Sequence, residues 1–293
     1  MPIRSRSEMG FQVLINLFLV LMGLIILIPL WRVLIASVTP LETYTRDGVQ
    51  LLLPPSEWST AAYRQLLTQP RFLRATMIST IITVSGTALN LFLTVPLAYG
   101  LSTRSLPGRK LIVSFILFTY LFSAGLVPTY LVVMKLDLID KLPAVILPTA
   151  ISVYNTLVMK TFFEGLPEEI KEAARIDGAS DLQILLRVIL PLSKPILLTI
   201  GLFYAVSHWN EFFSPILYLS DSELMPLPVL LRNILISADA SLNEFVEYDA
   251  FSAASIESLK SAGVFLTMLP MLLLYPTVQR HFTKGTLVGG VKE

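Results

Sequence analysis

His208, Trp209, Asn210 and Glu211 stand together inside an apolar run, and their side chains can do chemistry. Three residues apart on a helix, the His208 imidazole and the Glu211 carboxylate share a face. Such a pair can relay a proton, or form a polar wall that hydrogen-bonds a polar solute. The competing reading is a structural hydrogen-bond knot, since polar groups in apolar segments also join helices to one another. Tyr154 and Asn155 form a second aromatic–amide pair suited to a solute path, with core or interface roles as the alternative. The sequence holds no nucleophile–base set, no metal-ligand set and no G-x-x-x-x-G-K-[ST] phosphate loop. The chain therefore reads as non-catalytic and without a cofactor of its own.

The elements that must position these residues are membrane helices. The chain has 293 residues, 54% hydrophobic and 15% charged, where soluble domains run at about a quarter charged. Its mean hydropathy is +0.70. A net charge of +1 gives no electrostatic footprint for nucleic acid. The absence of cysteine removes disulfides, thiolate metal sites and thiol catalysis together. Six segments, near 11–36, 76–101, 111–134, 142–163, 196–219 and 262–280, are long and apolar enough to cross a bilayer, which takes about 20 helical residues. The first is longer than the core of a signal peptide and reads as an uncleaved anchor. Pro96, Pro128, Pro148 and Pro270 predict kinks within their spans.

The expected fold class is thus an all-α integral membrane protein. It comprises a short N-terminal segment 1–10, a six-helix domain 11–281 and a tail 282–293. Arg4, Arg6, Arg104, Arg109, Lys110, Lys160, Lys171 and Arg175 fall on one side of the membrane, which places both termini in the cytoplasm. On the other side, segment 220–261 carries Asp221, Glu223, Asp239, Glu244, Glu247, Asp249 and Glu257. It is too long for a plain connection. Its apolar pattern (Leu224, Leu227, Val229, Leu230, Ile234, Leu235) predicts a folded loop that meets a partner, with a solvated acidic loop as the alternative.

Between the fourth and fifth spans lies a polar island, Glu164 to Pro195. Pro167 suits the first position of a helix, where its missing N–H costs nothing. Glu168 and Glu169 complement the positive end of the helix dipole. Gly178 suits the left-handed residue that ends a helix. Ser180 and Gln183 have the spacing of a capping box that opens a second helix. Leu182, Leu185, Leu186 and Ile189 give that helix an apolar face, and Pro191 and Pro195 punctuate its end. Ala173 and Ala174 predict a nearly bare surface for close approach by another backbone, with Glu172 offering a carboxylate beside it. A helix lying on lipid would be more basic, so the island predicts protein docking.

Glu172-Ala173-Ala174, Gly178 after three further residues, and Val188-Ile189-Leu190-Pro191 after nine more resemble the EAA loop of ABC-importer permease subunits. Val188 in place of isoleucine is the one departure, and it is conservative. Asp177-Gly178-Ala179 and the Pro191 ending are similar to the carbohydrate, maltose-permease-like branch. Glu257-Ser258-Leu259-Lys260, Tyr275-Pro276 and Gln279 resemble the importers of complex saccharides, an alginate importer among them. The resemblance implies a cell inner-membrane permease whose EAA helix docks on an ATPase through Glu172, Ala173, Ala174, Asp177 and Gly178. It implies that the tail, with Gly289, Gly290, Val291 and Lys292, reaches the same ATPase. It further implies a homologous permease as heterodimer partner, two cytoplasmic ATPase subunits that bind ATP and Mg, and a periplasmic or extracellular solute-binding protein. In the family, runs like that around Trp209 recur in permeases of differing substrate, which favours the structural knot. A proton-coupled secondary transporter working through His208 and Glu211 is the rival reading.

Overall fold

The computed structural model describes residues 6–236 and 254–285, with side chains described for 11–236 and 254–274. Among the described residues there is no strand, only helices, short turns and one isolated bridge between Pro40 and Ala254. They fall into two compact units. One takes the N-terminal residues through Leu73 together with Leu231–Leu269; the other takes Arg74–Leu230 together with the residues from Pro270 on.

Helix α1, Arg6–Val38, is apolar on every side. Its side chains from Phe11 to Ile28 are almost all exposed, as a lipid-facing span requires. Its last turn is buried, with Ile35 at 0% exposure. Helices α2, Leu41–Asp47, and α3, Ala61–Thr68, follow. Ser37 at the end of α1 shares a 2.6 Å hydrogen bond with the Tyr63 hydroxyl of α3. Helix α3 buries Ala62 and Leu66.

Helix α4, Pro70–Ser102, carries Pro96 inside a single unbroken element. Helices α5, Arg109–Leu121, and α6, Leu126–Lys135, are bent by 110°. The turn between them ends at Gly125 (φ +86°), a conformation that side-chain-bearing residues rarely adopt. Pro128 lies in the first turn of α6, so it opens a helix and does not kink one. Helix α7, Pro143–Ile146, continues through a 3-10 turn, Leu147–Thr149, and meets α8, Val153–Glu164, at 50°. Ser152 caps α8 by accepting the Asn155 N–H at 3.3 Å.

The island folds as α9, Glu168–Ile176, and α10, Asp181–Ile184. A π-helical turn, Leu185–Ile189, and the short α11, Leu190–Leu192, complete it. Helix α12, Lys194–Asn210, leaves the segment Asp181–Leu192 at 86°. Then come α13, Phe213–Tyr218, α14, Leu227–Ile236, and α15, Ile256–Gly285. Helix α14 holds most of the apolar pattern expected in the loop 220–261; residues 237–253 of that loop lie outside the described residues.

Phe11–Val38, Pro70–Ser102 and Ile256–Leu274 are each long and apolar enough to cross a bilayer, and three bent helix pairs bring the candidate crossings to as many as six. The segment expected to run unbroken over 196–219 does not: α12 ends at Asn210 and the chain restarts as α13.

Helices α4, α8, α12 and the second half of the island share one apolar cluster, which includes Val95, Met159, Phe163, Ile184, Ile189 and Ile200. Gly201 of α12 faces Leu91 of α4, where a Cβ would lie in ordinary contact at 3.4 Å. The Tyr204 hydroxyl accepts the Ser152 N–H at 3.2 Å and shares a hydrogen bond with Thr94 Oγ1 at 2.8 Å. One phenol thus joins α12, α4 and the start of α8. At the Glu164 end, the Glu164 carboxylate accepts from Arg109 and from Lys160 Nζ at 2.9 Å. Arg109 Nε also donates to the Leu101 carbonyl at 2.7 Å. At the opposite end, the Asp140 carboxylate accepts the N–H groups of Ser220 and Asp221, and Tyr218 stacks on Tyr130. Beside it, the hydrogen bond from Lys141 holds the Asp137 carboxyl below the usual carboxylate range.

Tyr204→Phe removes the shared acceptor from a fully buried junction. The expected cost is about 1–3 kcal/mol, the penalty for leaving a buried polar group unpaired. Thermal unfolding of the purified chain in detergent measures it. Thr94→Val should cost less, because the Ser152 N–H keeps its partner. Equal unfolding temperatures for Tyr204→Phe and the parent would remove the phenol from its role as a joint.

Candidate functional site

The island presents one face outward and buries the other. On α9, Lys171 is 3% exposed and pairs with Glu168 at 3.1 Å. Ala174, one turn on, packs against the apolar cluster of its own chain. Glu172, Ala173, Ile176, Asp177 and Gly178 face out. The two alanines therefore do not form one bare surface: their 100° separation around the helix turns Ala173 to solvent and Ala174 to the core. Ile176 is 85% exposed and supplies the apolar centre of the outer face. Reading the alanines as a pair hid it, although helical spacing from Ala173 points to it.

Pro167 precedes the helix and is not its first residue. Its ψ of 128° is extended, and only its φ of −55° matches the helix it introduces. At the other end the backbone closes as a Schellman motif. The Ala179 N–H donates to the Ala174 carbonyl and the Gly178 N–H to the Arg175 carbonyl, both at 3.0 Å. That closure needs a left-handed residue, and Gly178 has φ +81°. The capping box of α10 is complete: Ser180 N–H donates to Gln183 Oε1 at 2.9 Å, and Gln183 N–H to Ser180 Oγ at 3.4 Å. The π-helical turn Leu185–Ile189 sits just before Pro191. Proline lacks the donor for the carbonyl four residues back and crowds it, and a wider turn relieves both. Such turns mark functional places in helices.

The polar run of α12 is split. His208 is 6% exposed and Trp209 is 5% exposed. Asn210 is exposed, and its side chain donates to the Val206 carbonyl at 2.9 Å. Glu211 lies beyond the helix, where its carboxylate accepts the N–H groups of Phe213 and Ser214 at 2.9 Å each. His208 and Glu211 therefore do not share a helical face, because Glu211 is spent on starting α13. The His208 ring instead lies against Gly86 of α4, where a Cβ would stand 2.5 Å from Nε2.

Tyr154 and Asn155 also part company. Tyr154 is 55% exposed and lines a groove of about 390 Å³ with Leu117, Tyr120, Leu157 and Thr161. Asn155 is 6% exposed, on the opposite side of α8. Gly289, Gly290, Val291 and Lys292 lie outside the described residues. No group of three or more His, Asp or Glu is placed to hold a metal among the described residues.

Membrane-length helices with an exposed, capped helix pair packed onto them are the frame of a membrane permease. The chain belongs to the family of binding-protein-dependent transport system inner membrane components, which it matches over residues 4–288. It is 40% identical over 282 residues to the polygalacturonan/rhamnogalacturonan transport system permease protein YtcP of Bacillus subtilis strain 168, covering 96% of this chain and 98% of that one. It is also 40% identical over 290 residues to protein LplC of the same organism, covering 98% and 97%. Among solved structures it is similar to a bacterial ABC transporter involved in the import of the acidic polysaccharide alginate. The TM-score is 0.88 at 32% identity, covering 96% of this chain and 100% of that one.

Two substitutions test how the island is held. Gly178→Val places a β-branched residue at positive φ and should destabilise the turn by about 1–2 kcal/mol. Ser180→Ala should cost about 0.5–2 kcal/mol through the lost cap. Hydrogen exchange should quicken at the Ala179 and Gln183 amides and stay unchanged in α4. Unaltered exchange in both variants would show that neither device holds the loop.

Proposed function

We propose that this chain forms half of the translocation path of an ATP-driven, binding-protein-dependent importer of oligo- or polysaccharide in a bacterial inner membrane, with both termini in the cytoplasm. Its partners are a homologous permease in a heterodimer, two ATPase subunits that bind ATP and Mg, and an external solute-binding protein. One observation carries the docking reading: a membrane chain turns Glu172, Ala173, Ile176 and Asp177 outward on a helix closed by a Schellman turn, with Ile176 85% exposed. An apolar centre flanked by the Glu172 and Asp177 carboxylates, with the small Ala173 beside it, suits docking by another protein. The tail residues Gly289 to Lys292 reach the same ATPase, and the groove at Tyr120 and Tyr154 faces the saccharide.

The cargo class follows from the relatives. One is named for polygalacturonan and rhamnogalacturonan, and the solved neighbour imports alginate. Uronate sugars are common to both, so an acidic saccharide, alginate included, is the proposed cargo. Proton coupling through His208 and Glu211 finds no support in the geometry, because Glu211 caps α13.

The test is uptake by the importer reconstituted in liposomes. Labelled galacturonate or alginate oligomers should enter only with ATP inside, and collapse of a proton gradient should leave uptake intact. Ile176→Asp and Ala173→Arg should each lower uptake about tenfold, the effect of losing about 1.4 kcal/mol at the docking face, with the unfolding temperature unchanged. Full uptake by both variants would sink the docking assignment. Uptake of neutral oligosaccharides alone would sink the acidic cargo and leave docking standing.

A further inference from the structure

One face of α4 carries a polar stripe, Ser79, Thr83, Thr87, Asn90 and Thr94, at helical spacing. Its two ends are satisfied. Ser79 Oγ accepts the Leu227 N–H at 2.8 Å, and Thr94 Oγ1 bonds the Tyr204 hydroxyl at 2.8 Å. Its middle is not. Thr83 Oγ1, Thr87 Oγ1 and Asn90 Oδ1 are buried and have no hydrogen-bond partner among the described residues. His208 Nε2 on α12 is buried and unpartnered in the same way.

These four atoms belong to one junction. The His208 ring lies on Gly86, and Thr83, Thr87 and Asn90 flank Gly86 within one helical turn. Asn90 is 1% exposed, His208 6% and Thr83 9%. The chain's own atoms cover them, so neither lipid nor a partner subunit reaches them. Each dry orphan costs its full desolvation penalty. Two hydroxyls, an amide oxygen and an imidazole nitrogen, spread over about two turns of α4, are groups that buried waters with two to four polar partners satisfy.

We propose that the seam between α4 and α12 binds ordered water at Thr83, Thr87, Asn90 and His208. Water at this point accepts or donates as each group requires. Its bonds exchange one at a time, so the seam stays satisfied when α12 shifts against α4.

Radiolytic hydroxyl-radical footprinting in ¹⁸O-water tests this on the assembled transporter in nanodiscs. His208 should be oxidised far faster than its burial allows, while Met159 and Phe163, both at 0% exposure in the apolar cluster, serve as dry controls. Thr83→Val with Thr87→Val should cut the His208 label to the control level and lower the unfolding temperature by about 2–4 °C. A higher unfolding temperature in the double variant would mean a dry seam and overturn the proposal. A lower one with His208 unlabelled in the parent would mean direct helix-to-helix bonds, and would overturn it equally.

Discussion

Inside hydrocarbon a helix cannot stop without re-satisfying the backbone groups it frees. Much of this structure follows from that constraint, because several of its apolar segments do stop. Where α7 gives way to α8, Ser152 accepts one N–H and the Tyr204 phenol takes another. Where α12 gives way to α13, Glu211 accepts two. Where α4 ends, Arg109 takes up the Leu101 carbonyl. Each break is therefore tied to a side chain, often from another helix. Breaks of this kind are joints with defined angles, and their partners fix which helices pack together.

The same joints anchor the polar island. Ile184, Leu185 and Ile189 sit in the cluster formed by Val95, Met159 and Ile200, so the island's second helix is part of the membrane-helix core. Ala174 and Ala179 extend that packing to α9. Load placed on the outer face at Ala173 and Ile176 has a continuous packed route to α12, across the 86° bend beside Ser193. Close-packed interiors transmit displacement because they have little room to absorb it.

What was legible in the sequence was what local chemistry decides. The Gly178 turn needs only its own φ, and the Ser180–Gln183 box needs only a spacing of three; both stand as read. Apolar length marked the spans for the same reason. What escaped was decided by partners distant in sequence. Proline suggested kinks, and Pro148 does lie in the 3-10 turn before a 50° bend, but the sharpest bend falls at Gly125, where the backbone needs a positive φ. His208 and Glu211 looked paired at helical spacing, but the amides of Phe213 and Ser214 compete for the carboxylate and win. The orphaned stripe on α4 had a visible period in Ser79, Thr83, Thr87, Asn90 and Thr94. It looked like ordinary span sequence, because hydroxyls are cheap in helices and only tertiary packing shows that two hydroxyls and an amide oxygen lack partners.

The groove at Tyr120 and Tyr154 bears on how a charged cargo would be shared between subunits. Its wall is Leu117, Tyr120, Val153, Tyr154, Leu157, Val158 and Thr161, with no cation in it. Aromatic and aliphatic groups suit the apolar faces of sugar rings, and they are indifferent to which sugar passes. Carboxylates on an acidic saccharide need positive charge or donors in a dehydrated path. Four cations of the second unit are held in ion pairs away from this wall: Arg109 and Lys160 with Glu164, Lys171 with Glu168, and Arg74 with Glu223. This wall offers ring stacking and no charge, so the carboxylates of an acidic cargo would need cations or donors elsewhere along a path. Close relatives of this chain could then serve different saccharides with little change in their own spans.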